Sequence, residues 1–186
     1  MNTVTYQPLL LVTVGTDHHP FDRLVRWVDA WLADHPGRLP CLMQTGTSAP
    51  PDPSGAAEWR AYLEFDVLQA AMASAAGVVC HGGPGTILGA RRAGAVPIVV
   101  PRRQRLGEHV DDHQVLFSRR LAAEGGGIHL AETKADLHRL LAGVAADPAA
   151  FRSGPEDRAT ATAVREFGRL VDGLVGRRPS PRAGAR

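Results

Sequence analysis

The fold class follows from one segment of the chain, Gly77-Val78-Val79-Cys80-His81-Gly82-Gly83-Pro84-Gly85-Thr86. Its short apolar run is typical of a β-strand that is buried on both faces. Three glycines follow within four residues, directly before a predicted helix from about residue 86 to residue 93, and such spacing predicts a tight strand-to-helix turn. We therefore interpret the segment as one strand-turn-helix unit of a parallel sheet.

The same alternation of strand and helix continues on both sides of this segment. Upstream, the apolar run 9–14 ends in Gly15-Thr16-Asp17, and helical spacing of apolar residues begins at Phe21. Strands separated by helix-length segments pair in parallel through right-handed crossovers. We predict an α/β fold with a doubly wound, mainly parallel, Rossmann-like sheet of about six strands. The other predicted strands are residues 41–43, 61–65, 96–100 and 128–130.

Chain length limits the number of domains. The protein has 186 residues, of which 44% are hydrophobic, enough for one domain with a full core and too few for two large domains. We predict a single domain over residues 1–176, ending in a helix that carries Val164, Phe167, Val171 and Leu174 on one face. Residues 177–186 contain Pro, Gly and Arg without a large apolar residue, which predicts a disordered tail.

Charge and composition argue against several partners. The 21 Lys and Arg residues against 19 Asp and Glu give a net charge of +2, and the arginines are scattered, so a nucleic-acid partner is not expected. No run approaches the roughly 18 apolar residues of a membrane span, so we expect no direct insertion into a membrane. Cys41 and Cys80 lie in apolar runs, which is typical of buried thiols in a reducing compartment, and the expected location is the cytoplasm.

Candidate binding residues follow from the geometry of parallel sheets, because ligands bind beyond the carboxyl ends of the strands. The turn over residues 81–86 lets the backbone approach a ligand and directs free N–H groups at an anion, so it predicts a phosphate or diphosphate site. A structural turn without a ligand is the alternative. The spacing from Gly83 to Gly89 does not fit the dinucleotide fingerprint, and no P-loop lysine or Gly-x-Ser-x-Gly motif is present. Hydride transfer, NTP hydrolysis and serine hydrolysis are therefore disfavoured.

A second polar segment, Gly107-Glu108-His109-Val110-Asp111-Asp112-His113-Gln114, lies at the same predicted edge. Its carboxylates, imidazoles and amide are groups that pair with the hydroxyls of a sugar. A metal site on His109 and His113 is one alternative reading. Another is a solvated loop in which Asp111 or Asp112 caps the following helix.

Five short motifs occur in order along the chain: 12–16, 44–46, 81–86, 96–102 and 108–114. In this order they resemble the C-terminal domains of family 28 glycosyltransferases, over roughly residues 9–145. Within that family the chain looks like the stand-alone halves of split GT-B transferases. These are the catalytic subunit of the eukaryotic UDP-GlcNAc transferase and bacterial exopolysaccharide proteins of the PssE or EpsF type.

The resemblance implies roles for individual residues. The diphosphate of a UDP-sugar would be bound by Gly15, Thr16, His81, Gly82, Gly83, Gly85 and Thr86, the sugar by Glu108, His109, Asp112, His113 and Gln114, and the base by Phe65 and Asp66. Candidate catalytic residues are His18, His109 and His113, with His19 also a possible general base. No metal and no further cofactor are expected. Gly89 stands where many of these transferases carry a glutamate that binds the ribose.

The resemblance also implies a partner, because a GT-B cleft needs two lobes and this chain supplies one. That partner would be a membrane-anchored subunit that holds a lipid-linked acceptor and brings this chain to the cytoplasmic face of the membrane. The chain would then be a glycosyltransferase subunit of polysaccharide or glycolipid biosynthesis, inactive without its partner. Two other functions remain open: a non-catalytic module that binds nucleotide-sugars, which Gly89 favours, and a metal-dependent hydrolase that uses His109 and His113.

Overall fold

The computed structural model describes residues 9–52 and 57–153. These belong to the first of two units into which the chain divides, Met1–Gly154, and the second unit is Pro155–Arg186. The predicted helix around Val164 and Leu174, the predicted domain end at residue 176 and the predicted tail 177–186 therefore lie outside the described residues.

Strands and helices alternate along the described chain, except that the second and third strands are consecutive elements. The strands are β1 (Leu10–Thr13), β2 (Cys41–Gln44), β3 (Ala57–Arg60), β4 (Gly77–His81), β5 (Ile98–Val100) and β6 (His129–Leu130). The α-helices are α1 (Asp22–Asp34), α2 (Phe65–Ser74), α3 (Pro84–Arg92), α4 (His113–Ala123) and α5 (Lys134–Ala146). Two short 3₁₀ turns occupy Gln104–Leu106 and Pro148–Phe151.

The six strands form one sheet in the order β3-β2-β1-β4-β5-β6, and every neighbouring pair is parallel. The predicted α/β fold with a doubly wound, Rossmann-like sheet is confirmed. The chain runs outward from β1 to β3 and then returns to place β4 on the other side of β1. This reversal leaves a crevice at the carboxyl ends of β1 and β4, where α/β proteins bind ligands.

Alternate residues of β1 contribute to two cores, as the two-residue period of a strand requires. Leu10 and Val12 lie in a core with apolar residues of α1 and α5, whereas Leu11 lies in a core with residues of α2 and α3. The continuous apolar run of β1 is therefore buried by helices on both faces of the sheet.

The third strand is a correction to the sequence prediction. Residues 57–60 form β3, whereas the predicted strand at 61–65 is a loop followed by the first residue of α2. β3 is the edge strand of the sheet, and Glu58, Trp59 and Arg60 are exposed. An exposed edge strand needs no apolar run, so its sequence carried none of the signal that marks the central strands.

The two cysteines are buried and unpaired. Burial raises the pKa of both Cys41 and Cys80 to about 12, with Asp29 adding to the effect at Cys41, so both thiols stay protonated at neutral pH. In the part of the chain that the structure describes, none of the helices has the length and hydrophobicity needed to cross a membrane.

Candidate functional site

A cavity of about 380 Å³ opens at the carboxyl ends of β1, β2 and β4. It collects the strand ends Thr13, Gln44 and His81 and the turns that follow β1 and β4. The residues that line it are Thr13, Gly15, Thr16, Asp17, Gln44, Leu68, His81, Gly83, Pro84, Gly85 and Thr86. Six of the seven residues predicted to bind a diphosphate are in this lining. The seventh, Gly82, instead packs against α4, since a Cβ there would lie 2.8 Å from the Ser118 Oγ.

The imidazole of His81 ties the end of β4 to the start of α3. Its Nδ1 accepts a hydrogen bond from the Gly83 N–H at 3.1 Å, and its Nε2 lies 3.0 Å from the Thr86 Oγ1. Because Nδ1 is an acceptor, the proton of the neutral ring is on Nε2, which donates to Thr86. Burial, together with the charge of Arg102, lowers the pKa of His81 to about 4, although Gln114 and Asp17 oppose the shift. His81 is therefore uncharged at neutral pH.

The glycines of the turn have different roles. A Cβ on Gly15 would lie 2.5 Å from the His81 Nε2, and a Cβ on Gly83 would lie 2.2 Å from its Cε1, so both glycines make room for the ring. Gly15 also has φ +82°, a conformation that favours glycine. Gly85 differs, because a Cβ there would meet no heavy atom within 4 Å. Gly85 thus leaves open space in the cavity wall.

The N-terminus of α3 faces this open space. Gly85 and Thr86 are its second and third residues, so their amide N–H groups have no acceptor within the helix. Free amides at a helix N-terminus attract anions, and the helix dipole adds to the attraction. The cavity lining contains neither lysine nor arginine, so an anion bound here would be held by backbone N–H groups.

Gln44 contributes a polar atom to which the sequence analysis assigned no role, although the motif 44–46 contains it. Its side chain is 2% exposed, and its Nε2 donates to the Gly15 carbonyl at 3.2 Å. The Oε1 atom is buried without a hydrogen-bond partner. A buried acceptor of this kind calls for a donor, such as a ligand hydroxyl. The available signal was a polar residue at the end of an apolar strand.

A group of histidines and aspartates lies beside the cavity. Asp17 lines the cavity, and its Oδ1 accepts hydrogen bonds from the His19 N–H at 2.8 Å and from the His19 Nδ1 at 2.7 Å. Burial alone would raise the pKa of Asp17, but these bonds and the charges of Arg102 and His109 lower it to about 2. The His109 Nε2 lies 3.4 Å from the Asp17 Oδ2, which joins the turn after β1 to the loop before α4.

His109 and His113 both face Asp111. The His109 Nδ1 lies 3.4 Å from the Asp111 Oδ1, and the His113 Nδ1 contacts the same oxygen. Hydrogen bonds from the backbone and ring of His113 outweigh burial and lower the pKa of Asp111. Such convergence suits a hydrogen-bonded network, and the same atoms lie close enough together to share a cation.

Other predicted sugar ligands are bonded within the protein. The Glu108 side chain is 6% exposed and its carboxylate accepts from the Arg23 Nε at 2.8 Å, the Arg23 Nη2 at 2.7 Å and the Arg103 N–H at 2.9 Å. The Gln114 Oε1 accepts from the Arg102 N–H at 3.3 Å, and the Asp112 Oδ1 accepts from the Gln104 N–H at 2.9 Å. Neither these three residues nor His109 and His113 line the cavity.

The predicted base-binding residues occupy a different place from the one expected. Phe65 and Asp66 do not end a strand; they begin α2, and both are exposed. Neither lines the cavity, although Leu68, less than one turn further along the same helix, does. Binding of a base by Phe65 and Asp66 stays a prediction.

Arg102 is a second residue whose role the sequence analysis missed. It is fully buried, and its guanidinium donates to the carbonyls of Val14 at 2.7 Å, His19 at 2.7 Å and Glu108 at 2.9 Å. The group also lies 4.8 Å from the centre of the Phe21 ring. Arg102 therefore connects the turn after β1 to the loop after β5. Its signal was weak, because an arginine after a strand reads as an exposed loop residue.

Comparison with protein families gives one match over most of the chain. Residues 9–169 match the glycosyltransferase family 28 C-terminal domain. No match to this chain was found among curated proteins.

Solved structures with a similar fold include three glycosyltransferases. The glycotransferase of kitacinnamycin superposes with a TM-score of 0.62 at 18% identity, covering 93% of this chain and 44% of that one. CalG4, the calicheamicin glycosyltransferase, gives 0.56 at 19% identity, covering 94% and 43%. MurG from Acinetobacter baumannii gives 0.57 at 18% identity, covering 92% and 50%. At these identities the likeness concerns the fold, and this chain spans half or less of each structure's length.

Proposed function

The chain belongs to the glycosyltransferase family 28 C-terminal domain family, and from this premise we propose that it is the donor-binding, catalytic subunit of a glycosyltransferase. The donor is a UDP-sugar, and the acceptor is a lipid-linked hydroxyl compound held by a partner subunit. The product belongs to polysaccharide or glycolipid biosynthesis. The chain works in the cytoplasm, at the inner face of the membrane, through a membrane-anchored partner.

One observation carries this proposal: the free amides of Gly85 and Thr86, beside the uncharged His81 ring, face an open cavity at the switch point of the sheet. A diphosphate fits this site because its charge meets the N–H groups and the positive end of the α3 dipole. The unpartnered Gln44 Oε1 supplies an acceptor for a hydroxyl of the ribose or the sugar.

The same contacts would assist the reaction. As the bond between the sugar and the diphosphate breaks, negative charge grows on the departing UDP. Donors fixed by the fold stabilise that charge more in the transition state than in the ground state, and they need no metal ion to do so. We therefore propose that transfer proceeds without a metal.

The proposal includes a partner subunit. The three glycosyltransferase structures are about twice as long as the part that this chain matches. We propose that a second chain supplies the missing half, binds the acceptor and closes the cleft over the cavity. Without that chain, transfer to the acceptor is not expected.

Two other functions make different predictions. A non-catalytic module, favoured by Gly89, would bind UDP-sugars but transfer nothing when the partner is added. A metal-dependent hydrolase, favoured by the approach of His109 and His113 to Asp111, would lose its activity in EDTA.

Calorimetric titration with UDP and UDP-sugars tests the proposal. We expect binding by the full chain that is unchanged by EDTA. Gly85→Leu should weaken it at least tenfold, or about 1.4 kcal/mol, because the new side chain enters the cavity. Gly89→Ala is the control on the same helix, since its Cβ would make only ordinary contacts, at 3.4 Å and 3.8 Å, and its affinity should stay within twofold.

Unchanged affinity in Gly85→Leu would contradict the placement of the diphosphate. Loss of binding in EDTA would favour the metal site instead. Release of UDP from a UDP-sugar when the partner is added would separate the transferase from the non-catalytic module.

A further inference from the structure

Three metal-ligating side chains converge where the loop after β5 meets the start of α4. His109 and Asp111 lie in the loop, and His113 is the first residue of α4. One ligand atom of each residue lies within 4.8 Å of the other two. Two imidazoles and one carboxylate form a donor set that transition metals bind. We call these three residues the 109–113 cluster.

The His109 ring carries a buried nitrogen without a partner. Its Nδ1 makes no hydrogen bond within the described residues, although it lies 3.4 Å from the Asp111 Oδ1. Its Nε2 faces the Asp17 Oδ2, also at 3.4 Å. A carboxylate beside the second ring nitrogen is the usual support of a metal-bound histidine, because it keeps the ring proton on that side. The lone pair of the His109 Nδ1 is then available to a cation.

The spacing of the 109–113 cluster suits a zinc ion. Zinc binds nitrogen and carboxylate oxygen at about 2.0–2.2 Å in a tetrahedron, so its ligand atoms lie about 3.3 Å apart. The His109 Nδ1 and the Asp111 Oδ1 already have this separation. The His113 Nδ1 is closer to the same oxygen because the two groups share a hydrogen bond. Both of those side chains are about half exposed, which leaves them room to move apart around an ion.

A second group of similar composition, Asp17, His18 and His19, is a weaker candidate. The His19 Nδ1 already lies 2.7 Å from the Asp17 Oδ1 in a hydrogen bond. The His18 ring is 83% exposed, and nothing fixes its orientation towards an ion. Of the three rings compared here in the described chain, only that of His109 has a buried nitrogen that lacks a hydrogen bond.

We propose that His109, Asp111 and His113 bind a zinc ion and that Asp17 orients His109 for it. Two of the three donors are imidazole nitrogens, which favours zinc over magnesium and calcium, since those ions prefer oxygen ligands. Zinc forms bonds to the His109 Nδ1, the Asp111 Oδ1 and the His113 Nδ1, and water completes the tetrahedron. The His113 ring loses its proton from Nδ1 and takes one up on Nε2, so binding releases no net proton from that ring.

The zinc site is separate from the proposed transfer reaction. None of its three ligands lines the cavity in which the diphosphate is proposed to bind. The ion therefore fixes the loop before α4, and it takes no part in breaking the bond between sugar and diphosphate.

The first test is calorimetric titration of zinc into the full chain after treatment with EDTA and dialysis. We expect a single zinc ion to bind and magnesium not to compete with it. Asp17→Asn should weaken zinc affinity by about 10- to 100-fold, as loss of a group that orients a metal ligand does, and His109→Gln should weaken it more. His35→Gln is the matched control, because that ring bonds the Trp31 carbonyl, and its zinc affinity should stay within twofold.

The second test uses the wild-type chain, so it does not depend on how a variant folds. Nitrogen-15 NMR of the histidine-labelled chain should show the His109 proton on Nε2 both without and with zinc. The His113 proton should be on Nδ1 without zinc and on Nε2 with it. The spectrum of His35 should not change.

Three outcomes would overturn the inference. They are absence of zinc binding by the wild type, zinc binding that leaves the signals of His109 and His113 unchanged, and a larger loss of zinc affinity in His18→Gln than in His109→Gln. The last would place the ion on the group around Asp17. Failure of the EDTA-treated chain to bind UDP would instead overturn the proposed function, and the zinc site would stand.

Discussion

The glycine side and the histidine side of the site are formed by different chemical groups, backbone amides in the first and polar side chains in the second. The glycine side, residues 81–86, presents backbone amides and an uncharged imidazole. The histidine side lies beside the cavity and reaches its wall at Asp17, and its imidazoles and carboxylates lie close to one another; it consists of Asp17, His18, His19, His109, Asp111 and His113. Backbone amides are fixed as soon as the strand and helix form, whereas a network of side chains depends on two loops that must meet. The two sides thus place different demands on the fold.

Arg102 is the residue that holds the histidine side together. Its guanidinium bonds carbonyls in the turn after β1 and in the loop after β5, and its own N–H bonds Gln114 at the start of α4. Removing the Arg102 guanidinium would leave buried carbonyl groups without hydrogen-bond donors, and each unsatisfied carbonyl lowers the stability of the folded state.

The largest expected effect is therefore that of Arg102→Met. We expect the free energy of unfolding to fall by about 3–5 kcal/mol, because a buried charge network loses its central donor. Urea denaturation measures the change. Arg105→Met is the control, since Arg105 is exposed in the same loop and its replacement should change stability by less than about 0.5 kcal/mol. Equal stabilities of the two variants would show that the histidine side does not depend on Arg102.

The next effect is a pH dependence of stability that belongs to the glycine side. The pKa of His81 is about 4 in the folded chain and about 6.5 in the unfolded one. As the pH falls from 6.5 towards 4, the unfolded state therefore takes up a proton that the folded state does not, and stability decreases by about 2–3 kcal/mol. Asp17, whose pKa is lowered to about 2, contributes only below about pH 4, where its stabilising charge begins to be lost.

Urea denaturation at pH 7.5 and pH 4.5 checks this expectation. His81→Asn should make the free energy of unfolding depend less on pH. The pH dependence that remains comes in part from His129, because burial also lowers the pKa of that residue. An unchanged dependence of stability on pH in His81→Asn would mean that the folded and unfolded states protonate His81 equally, which would contradict its lowered pKa.

The sequence predicted the glycine side better than the histidine side. Glycines next to a buried strand specify a backbone path, so Gly15, Gly83 and Gly85 could be placed in the cavity wall without knowing their partners. The central strands could be predicted for the same reason, because an apolar run between helices has few alternative positions in a fold.

The histidine side could not be predicted in detail, because a polar side chain can bond either a ligand or the protein. Glu108 shows this clearly: its carboxylate accepts from Arg23, which lies 85 positions earlier in the chain. Nothing local to Glu108 indicates that partner. The buried role of Arg102 and the unpartnered Gln44 Oε1 likewise depend on contacts between distant turns.

The smallest expected effect sharpens the contrast within the glycine side itself. Gly83→Ala and Gly85→Ala make the same change two residues apart. At Gly83 the Cβ would collide with the His81 ring, and the Gly83 backbone φ is an ordinary −75°, so the cost comes from the collision. We expect Gly83→Ala to lower the free energy of unfolding by about 1–2 kcal/mol, as overpacking does. At Gly85 the Cβ enters open space, and because alanine favours helix, stability should stay the same or rise slightly. Urea denaturation of the two variants measures the difference, and equal stabilities would mean that the His81 ring can move aside and that the geometry of the amides is not fixed by it.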